Sequence, residues 1–256
     1  MCLFHRTRRC RVIIRPLICF GSYQTSIQGI LFDKDGVLFD AYALCDSLHK
    51  TRRHLLTALH GPWAGELYDQ TMDVTDTISM NGAAMIASLE EATTLMTHVI
   101  HQASKQPWDA CRQEARWLTK EADALVDISS VPPIPGAIQA LKTLKQHHVL
   151  IGIVTGDNRQ RTQQQLKNWG LDSYVDAIVT ADDVTQQKPD PQSLNQALAA
   201  LHLEVFQAIM VGDSINDYRM AHAVGMPMVA IGYAIDTLND TVQAILPDLQ
   251  SVVVSQ

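Results

Sequence analysis

The stretch Ile27-Gln28-Gly29-Ile30-Leu31-Phe32-Asp33-Lys34-Asp35-Gly36-Val37-Leu38-Phe39-Asp40 decides how the rest of the chain is read. A short apolar run ends in two carboxylates one residue apart, and a glycine follows. Such a run, bounded by turn residues, reads as a buried strand. In an open parallel sheet, ligands bind beyond the carboxyl ends of the strands. Asp33 and Asp35 would then stand at the mouth of a site, with Gly36 allowing a sharp turn. Taken alone, Asp-Lys-Asp-Gly fits a helix cap or a calcium loop at least as well. An EF-hand is the weaker of these, because its later ligands, including a glutamate at the twelfth position, are missing. Lys34 lies between the carboxylates, and strand alternation would point it away from both, toward the surface or the cap.

Downstream, strands alternate with helices of 10–15 residues, the pattern of βαβ units and a parallel sheet. Three more strand ends carry polar residues. Val149–Val154 runs into Thr155-Gly156-Asp157-Asn158, and Ala177–Thr180 leads on to Lys188-Pro189. Ala208–Val211 runs into Gly212-Asp213-Ser214-Ile215-Asn216-Asp217. In a doubly wound parallel sheet all four ends face one crevice. Each residue has a plain structural reading alone; four polar strand ends together are harder to explain that way. Carboxylates converging there would repel by on the order of 4 kcal/mol per pair at 4 Å and an effective dielectric of 20. A cation is therefore expected, and hard oxygen ligands with room for water favour Mg²⁺.

Between the first strand and the remainder, about 85 residues from Tyr42 to Asp127 carry helical patterns and few β-branched runs. Helices are predicted over Tyr42–Leu59, Trp63–Met72, Ala83–Ala103 and from Pro107 to about Val126. In the first, Leu44, Leu48, Leu55 and Leu59 would share the buried side. Val131-Pro132-Pro133-Ile134-Pro135-Gly136 punctuates the return. The expected organisation is an α/β core from 27–40 and 130–256, with a helical cap from 41–129. The tail Ala244–Val254 is expected to add one edge strand.

The 256 residues carry a net charge of -7, which argues against nucleic acid as a partner. Residues 1–26 hold five arginines and no acid, leaving 15 basic against 27 acidic residues, or -12, for the rest. An Arg-rich start resembles an organelle-targeting leader in composition, but the simpler expectation is an unstructured extension. The apolar run 12–20 is broken by Arg15-Pro16 and is too short to span a membrane. Five scattered cysteines without a C-x-x-C pair suggest neither a zinc site nor a disulfide framework, and fit a cytoplasmic protein.

The four motifs, Asp33-Lys34-Asp35-Gly36-Val37-Leu38, Thr155-Gly156, Lys188-Pro189 and Gly212-Asp213-Ser214-Ile215-Asn216-Asp217, resemble the ordered motifs of the haloacid dehalogenase superfamily. The insert after the first motif sits where the phosphoglycolate-phosphatase-like subfamily carries its helical cap. The resemblance implies a Rossmann-like core and a Mg²⁺-dependent phosphatase of small phosphorylated metabolites. It implies Asp33 as nucleophile and metal ligand, and Asp35 as general acid and base whose backbone carbonyl also binds the metal. Thr155, Gly156 and Lys188 would hold the phosphoryl group, and Asp213 and Asp217 the metal. An acid two residues after the nucleophile points to phosphoryl transfer, since release of halide needs no proton. A phosphohexomutase of the same family and a non-catalytic binding member remain the alternatives, as a monomer or homodimer. In the cap, Tyr42, His49, Arg52, Arg53, Arg112, Arg116 and Lys120 are candidates for substrate specificity.

Overall fold

The computed structural model describes residues 16–232 and 241–255. The chain opens with an antiparallel hairpin, β1 (Leu17–Phe20) and β2 (Tyr23–Ser26), before β3 (Gly29–Phe32). Five helices follow: α1 (Ala41–His60), α2 (Pro62–Thr71), α3 (Ala83–Ile86), α4 (Leu89–Ser104) and α5 (Trp108–Leu125). The alternating half then runs α6 (Ala137–Gln146), β4 (Leu150–Val154), α7 (Arg159–Asn168), β5 (Ala177–Val179), α8 (Gln192–Leu201), β6 (Ala208–Gly212), α9 (Ile215–Ala223) and β7 (Met228–Ile231). Two tail strands close it, β8 (Ala244–Leu246) and β9 (Val252–Ser255).

The main sheet has the order β5-β4-β3-β6-β7-β8, and every pairing in it is parallel. From β3 the chain winds outward through β4 and β5, then crosses back and winds the other way from β6. The reversal falls between β3 and β6, which is where a crevice opens in a doubly wound sheet. The strands are apolar on both faces because helices cover both. Ile30, Phe32, Ile151, Ile153, Ile209 and Val211 pack on one side with Leu141, Leu144 and Leu166 from α6 and α7. Leu31, Val154 and Met210 pack on the other with Leu194, Leu198 and Met220 from α8 and α9. Period-two side-chain alternation produces this split.

The helical insert has its own core, including Leu56, Tyr68, Met96, Ile100, Cys111 and Leu118. It joins the α/β half where Phe39 bridges Pro133 and the Asp40 N–H donates to Pro132 O at 2.9 Å. Asp40 caps α1, its carboxylate accepting from the Ala43 N–H at 3.0 Å.

The structure corrects four expectations. Residues 17–26, expected to be unstructured, form β1 and β2, and β1 pairs antiparallel with β9. Ile18 and Phe20 are fully buried in the main core, so this hairpin covers apolar surface. The expectation for residues 1–15 falls outside the described residues. The tail supplies two strands, with β8 extending the main sheet and β9 joining the small one. The expected helix 83–103 is broken at Ala87 and Ser88, because Ser88 and Glu91 form a reciprocal capping box that starts α4 afresh. In α1 the buried side is Leu44, His49, Arg52 and Leu56, whereas Leu59 is 52% exposed. His49 and Arg52 can turn inward because Asp69 and Asp123 meet them there. No described helix is long and apolar enough to cross a membrane.

Candidate active site

Adjacent parallel strands bring the four motifs together. The Asp33 N–H donates to Val211 O at 2.9 Å and the Thr155 N–H to Val179 O at 3.0 Å, so each leaves its strand in register with its neighbour. Asp33, Asp35, Thr155, Gly156 and Lys188 line one cavity of about 310 Å³ beyond the strand ends. Carboxylate oxygens of Asp33, Asp213 and Asp217 come within 4.8 Å of one another.

Two glycines make this convergence possible. Gly36 has φ +84°, and a Cβ there would lie 1.8 Å from the Asp213 carboxylate. A Cβ on Gly212 would lie 2.5 Å from that of Asp217, where α9 begins. Larger residues at either place would push the carboxylates apart.

Lys188 Nζ reaches Asp33 Oδ1 at 3.0 Å and Asp217 Oδ1 at 2.7 Å. Burial works against its charge, but Asp217 and Asp33 hold the ammonium above the ordinary lysine range. Asp217 is fully buried, and its second oxygen accepts from the Ser214 hydroxyl at 2.6 Å and the Ser214 N–H at 3.2 Å. Burial, with repulsion from Asp217 and Asp35, pushes Asp33 up to about 7 against the pull of Lys188. Burial and the charges of Asp33 and Asp217 also drive Asp213 well above the carboxylate range. One lysine therefore leaves the cluster under-neutralised. Three hard oxygen donors in that condition fit a small divalent cation. Thr155 is 3% exposed, and its hydroxyl accepts from the Asp157 N–H at 3.1 Å.

The expected surface or cap-facing position of Lys34 is wrong. Its side chain is fully buried, with Nζ at 2.5 Å from Asp35 Oδ1, 3.0 Å from Asp157 Oδ2 and 2.8 Å from Gln165 Oε1. Chain direction explains this: Lys34 lies two residues past the end of β3 and already belongs to a turn, its carbonyl accepting from the Leu38 and Phe39 N–H groups. Strand alternation no longer applies there. Asp157, Arg161 and Gln165 were not singled out in the sequence. Their i, i+4, i+8 spacing, a polar row along the α7 side and the turn before it, is the signal that could have found them.

The candidates in the insert divide. Arg112 and Arg116 on α5, with Trp108, line a cleft of about 940 Å³ whose far side is Gly156 and Lys188. Arg112 also pairs with Asp109 at 2.8 Å. The Tyr42 hydroxyl accepts from the Ile78 N–H at 3.3 Å, and Arg53 pairs with Asp69 at 2.6 Å. His49 and Arg52 line a separate cavity of about 150 Å³, with His49 on Asp69 at 2.8 Å and Arg52 on Asp123 at 3.4 Å. Lys120 lines a third cavity, which shares Arg161 with the His49–Arg52 cavity and with the strand-end cavity.

The profile of the haloacid dehalogenase-like hydrolases matches residues 30–231. The chain belongs to this family. Over 105 residues it is 37% identical to pyrophosphatase PpaX of Halalkalibacterium halodurans, covering 41% of this chain and 49% of that protein. It thus spans about half the length of that relative. Over 201 residues it is 29% identical to validoxylamine A 7'-phosphate phosphatase of Streptomyces hygroscopicus subsp. limoneus, covering 78% of this chain and 84% of that one. Among solved structures, a predicted phosphoglycolate phosphatase from Haemophilus somnus superposes with TM-score 0.68 at 19% identity, covering 88% of this chain and 95% of that one. CbbY from Rhodobacter sphaeroides, in complex with phosphate, superposes with TM-score 0.59 at 18% identity over 88% and 95% of the two chains. At these identities the structural likeness speaks for the fold.

Proposed function

We propose that the protein is a Mg²⁺-dependent phosphatase that hydrolyses a small phosphorylated metabolite through a phosphoryl-aspartate on Asp33. The observation that carries this is the placement of Asp33 against Lys188 Nζ at 3.0 Å, with Asp35 lining the same cavity. In the first half-reaction a carboxylate oxygen of Asp33 bonds to phosphorus and the ester P–O bond breaks. Its electron pair stays on the leaving oxygen, which takes a proton from Asp35. In the second, Asp35 takes a proton from water as the water oxygen bonds to phosphorus and the bond to Asp33 breaks. Thr155, the Gly156 N–H and Lys188 hold the phosphoryl oxygens.

Asp33 and Asp213 are the carboxylates to hold Mg²⁺, together with the Asp35 backbone carbonyl. Both Asp217 oxygens are engaged, by Lys188 and Ser214, which supports Asp217 as an outer support. When bound, Mg²⁺ supplies neutralising charge that offsets the carboxylate repulsion. The phosphatase names carried by two sequence relatives support hydrolysis as the outcome.

The distal part of the substrate lies in the wide cleft under α5, where Arg116 makes no hydrogen bond or ion pair among the described residues. A panel of phosphate monoesters, read by released phosphate, tests the proposal. Asp33→Asn is expected to lower turnover by at least ~10⁴-fold while the protein remains folded. Chelation should stop the wild type, and added Mg²⁺ should restore it. Turnover by Asp33→Asn at the wild-type rate would rule out the mechanism; indifference to chelator would remove the metal.

A further inference from the structure

We infer that Lys34 is a positioning residue for the proton-transfer step, orienting the Asp35 carboxyl from beneath. The inference rests on the phosphatase reading above. Lys34 Nζ has three donors and three oxygen partners: Asp35 Oδ1 at 2.5 Å, Gln165 Oε1 at 2.8 Å and Asp157 Oδ2 at 3.0 Å. Two hydrogen bonds, to Asp35 and Gln165, and the ion pair with Asp157 hold the ammonium from three sides. The backbone is fixed as well, because the Lys34 N–H donates to Asp33 Oδ1 at 2.7 Å. Asp35 is thus held through one oxygen. Among the described residues its other oxygen makes no hydrogen bond, and the residue lines the reaction cavity. That second oxygen is left to carry the proton between ester, water and enzyme.

Stability alone does not account for this lysine. A buried ion pair is weak support for a fold, and replacing one by apolar groups is often neutral or better. Asp157 has a second cation besides Lys34, because Arg161 Nε contacts both its oxygens, at 2.7 and 2.8 Å. What Lys34 adds is contact with Asp35, and what Asp157 and Gln165 add is a seat for Lys34. Thr155 and Gly156, which open the phosphate-binding turn, directly precede Asp157. The same turn therefore places the phosphoryl group and, through Lys34, the group that protonates its leaving oxygen.

The leaving group separates this role from a merely structural one. An alkyl phosphate needs its leaving oxygen protonated; an aryl phosphate such as 4-nitrophenyl phosphate leaves as a stable anion. The measurement is kcat/KM, which reports the phosphoryl-transfer half, for Lys34→Met on both ester types. General acid catalysis contributes typically 10²–10⁴-fold. The expected loss is about 100-fold on the alkyl ester and under about 5-fold on the aryl ester, with inhibition by inorganic phosphate unchanged. Equal losses on the two esters, or none on either, would overturn the inference. Should Lys34→Met fail to fold, Gln165→Leu removes one seat of the ammonium without changing charge. It should give the same ester-dependent split, smaller, and an equal loss on both esters would again overturn it. A wild type that hydrolyses neither ester defeats the phosphatase reading itself, and this role with it. A wild type active on both esters, with a variant that loses them equally, defeats only the role of Lys34.

Discussion

The strand-end crevice and the helical insert use buried charge in opposite ways. In the crevice, Asp33, Asp213 and Asp217 converge on one lysine, and burial with mutual repulsion raises Asp33 to about 7 and Asp213 well above its ordinary value. The arrangement costs stability. In the insert, three basic side chains of α1 meet acids from other helices: His49 and Arg53 share Asp69, and Arg52 meets Asp123. The difference teaches where function lies. Groups gathered with too few counter-charges fit the uptake of a cation, whereas charges paired one helix to another hold helices together. Arg116 is the exception that lines the wide cleft: like Lys120 it has no hydrogen bond or ion pair among the described residues, but it faces Gly156 and Lys188.

The sharpest way to break this contrast is to remove apolar packing from the insert. Leu56 is fully buried in the insert core. Leu56→Ala should cost about 2–5 kcal/mol in chemical denaturation. Turnover per folded molecule, corrected for the folded fraction, should change by less than about threefold. Asp33→Asn should do the reverse, removing turnover while leaving the metal-free protein no less stable. A Leu56→Ala protein that melts like the wild type but turns over poorly would reverse the roles assigned to the two regions.

A smaller effect is expected at the exception. Arg116→Ala should raise KM about 10-fold for a substrate with a second anionic group, or ~1.4 kcal/mol, with kcat within about twofold. The same change in kcat as in KM would place Arg116 among the groups that act on the reacting phosphoryl instead.

The smallest effect is a pH dependence. For a carboxyl whose folded value lies above its ordinary 3.8, the folded state holds the proton more tightly. Stability is then greatest below the unfolded value and falls as pH rises through about 7. Mg²⁺ binds the deprotonated form, so it should raise Tm more at pH 8 than at pH 5. Each kcal/mol of difference corresponds to about 2–4 °C for a domain of this size. Equal Mg²⁺ shifts at both pH values would detach the cation from these carboxylates.

Most of the α/β half was legible because strand ends are positioned by topology. Once the alternation of strands and helices is read, Asp33, Thr155, Lys188 and Asp213 fall on one side of the sheet with no further information. Lys34 was misread because period-two alternation was carried two residues past the strand, into a turn that buries its side chain. The hairpin at 17–26 was hidden because its partner, β9, lies at the far end of the chain; the apolar run 12–20 was visible, but Arg15-Pro16 interrupts it and arginines precede it. In the insert, helices were legible from their period, but which face turned inward was not. His49 and Arg52 are buried only because Asp69 and Asp123, 20 and 71 residues further on, meet them. Pairings of that kind are three-dimensional and leave no periodic trace.

The central claim is that Asp33 becomes covalently phosphorylated, and the most direct test is rapid acid quench of a single turnover followed by peptide mass analysis. The account predicts a phosphoryl group on the peptide containing Asp33, rising and then decaying as inorganic phosphate is released, and absent in Asp33→Asn. Phosphate release at the full wild-type rate with no phosphorylated protein at any time point would contradict it.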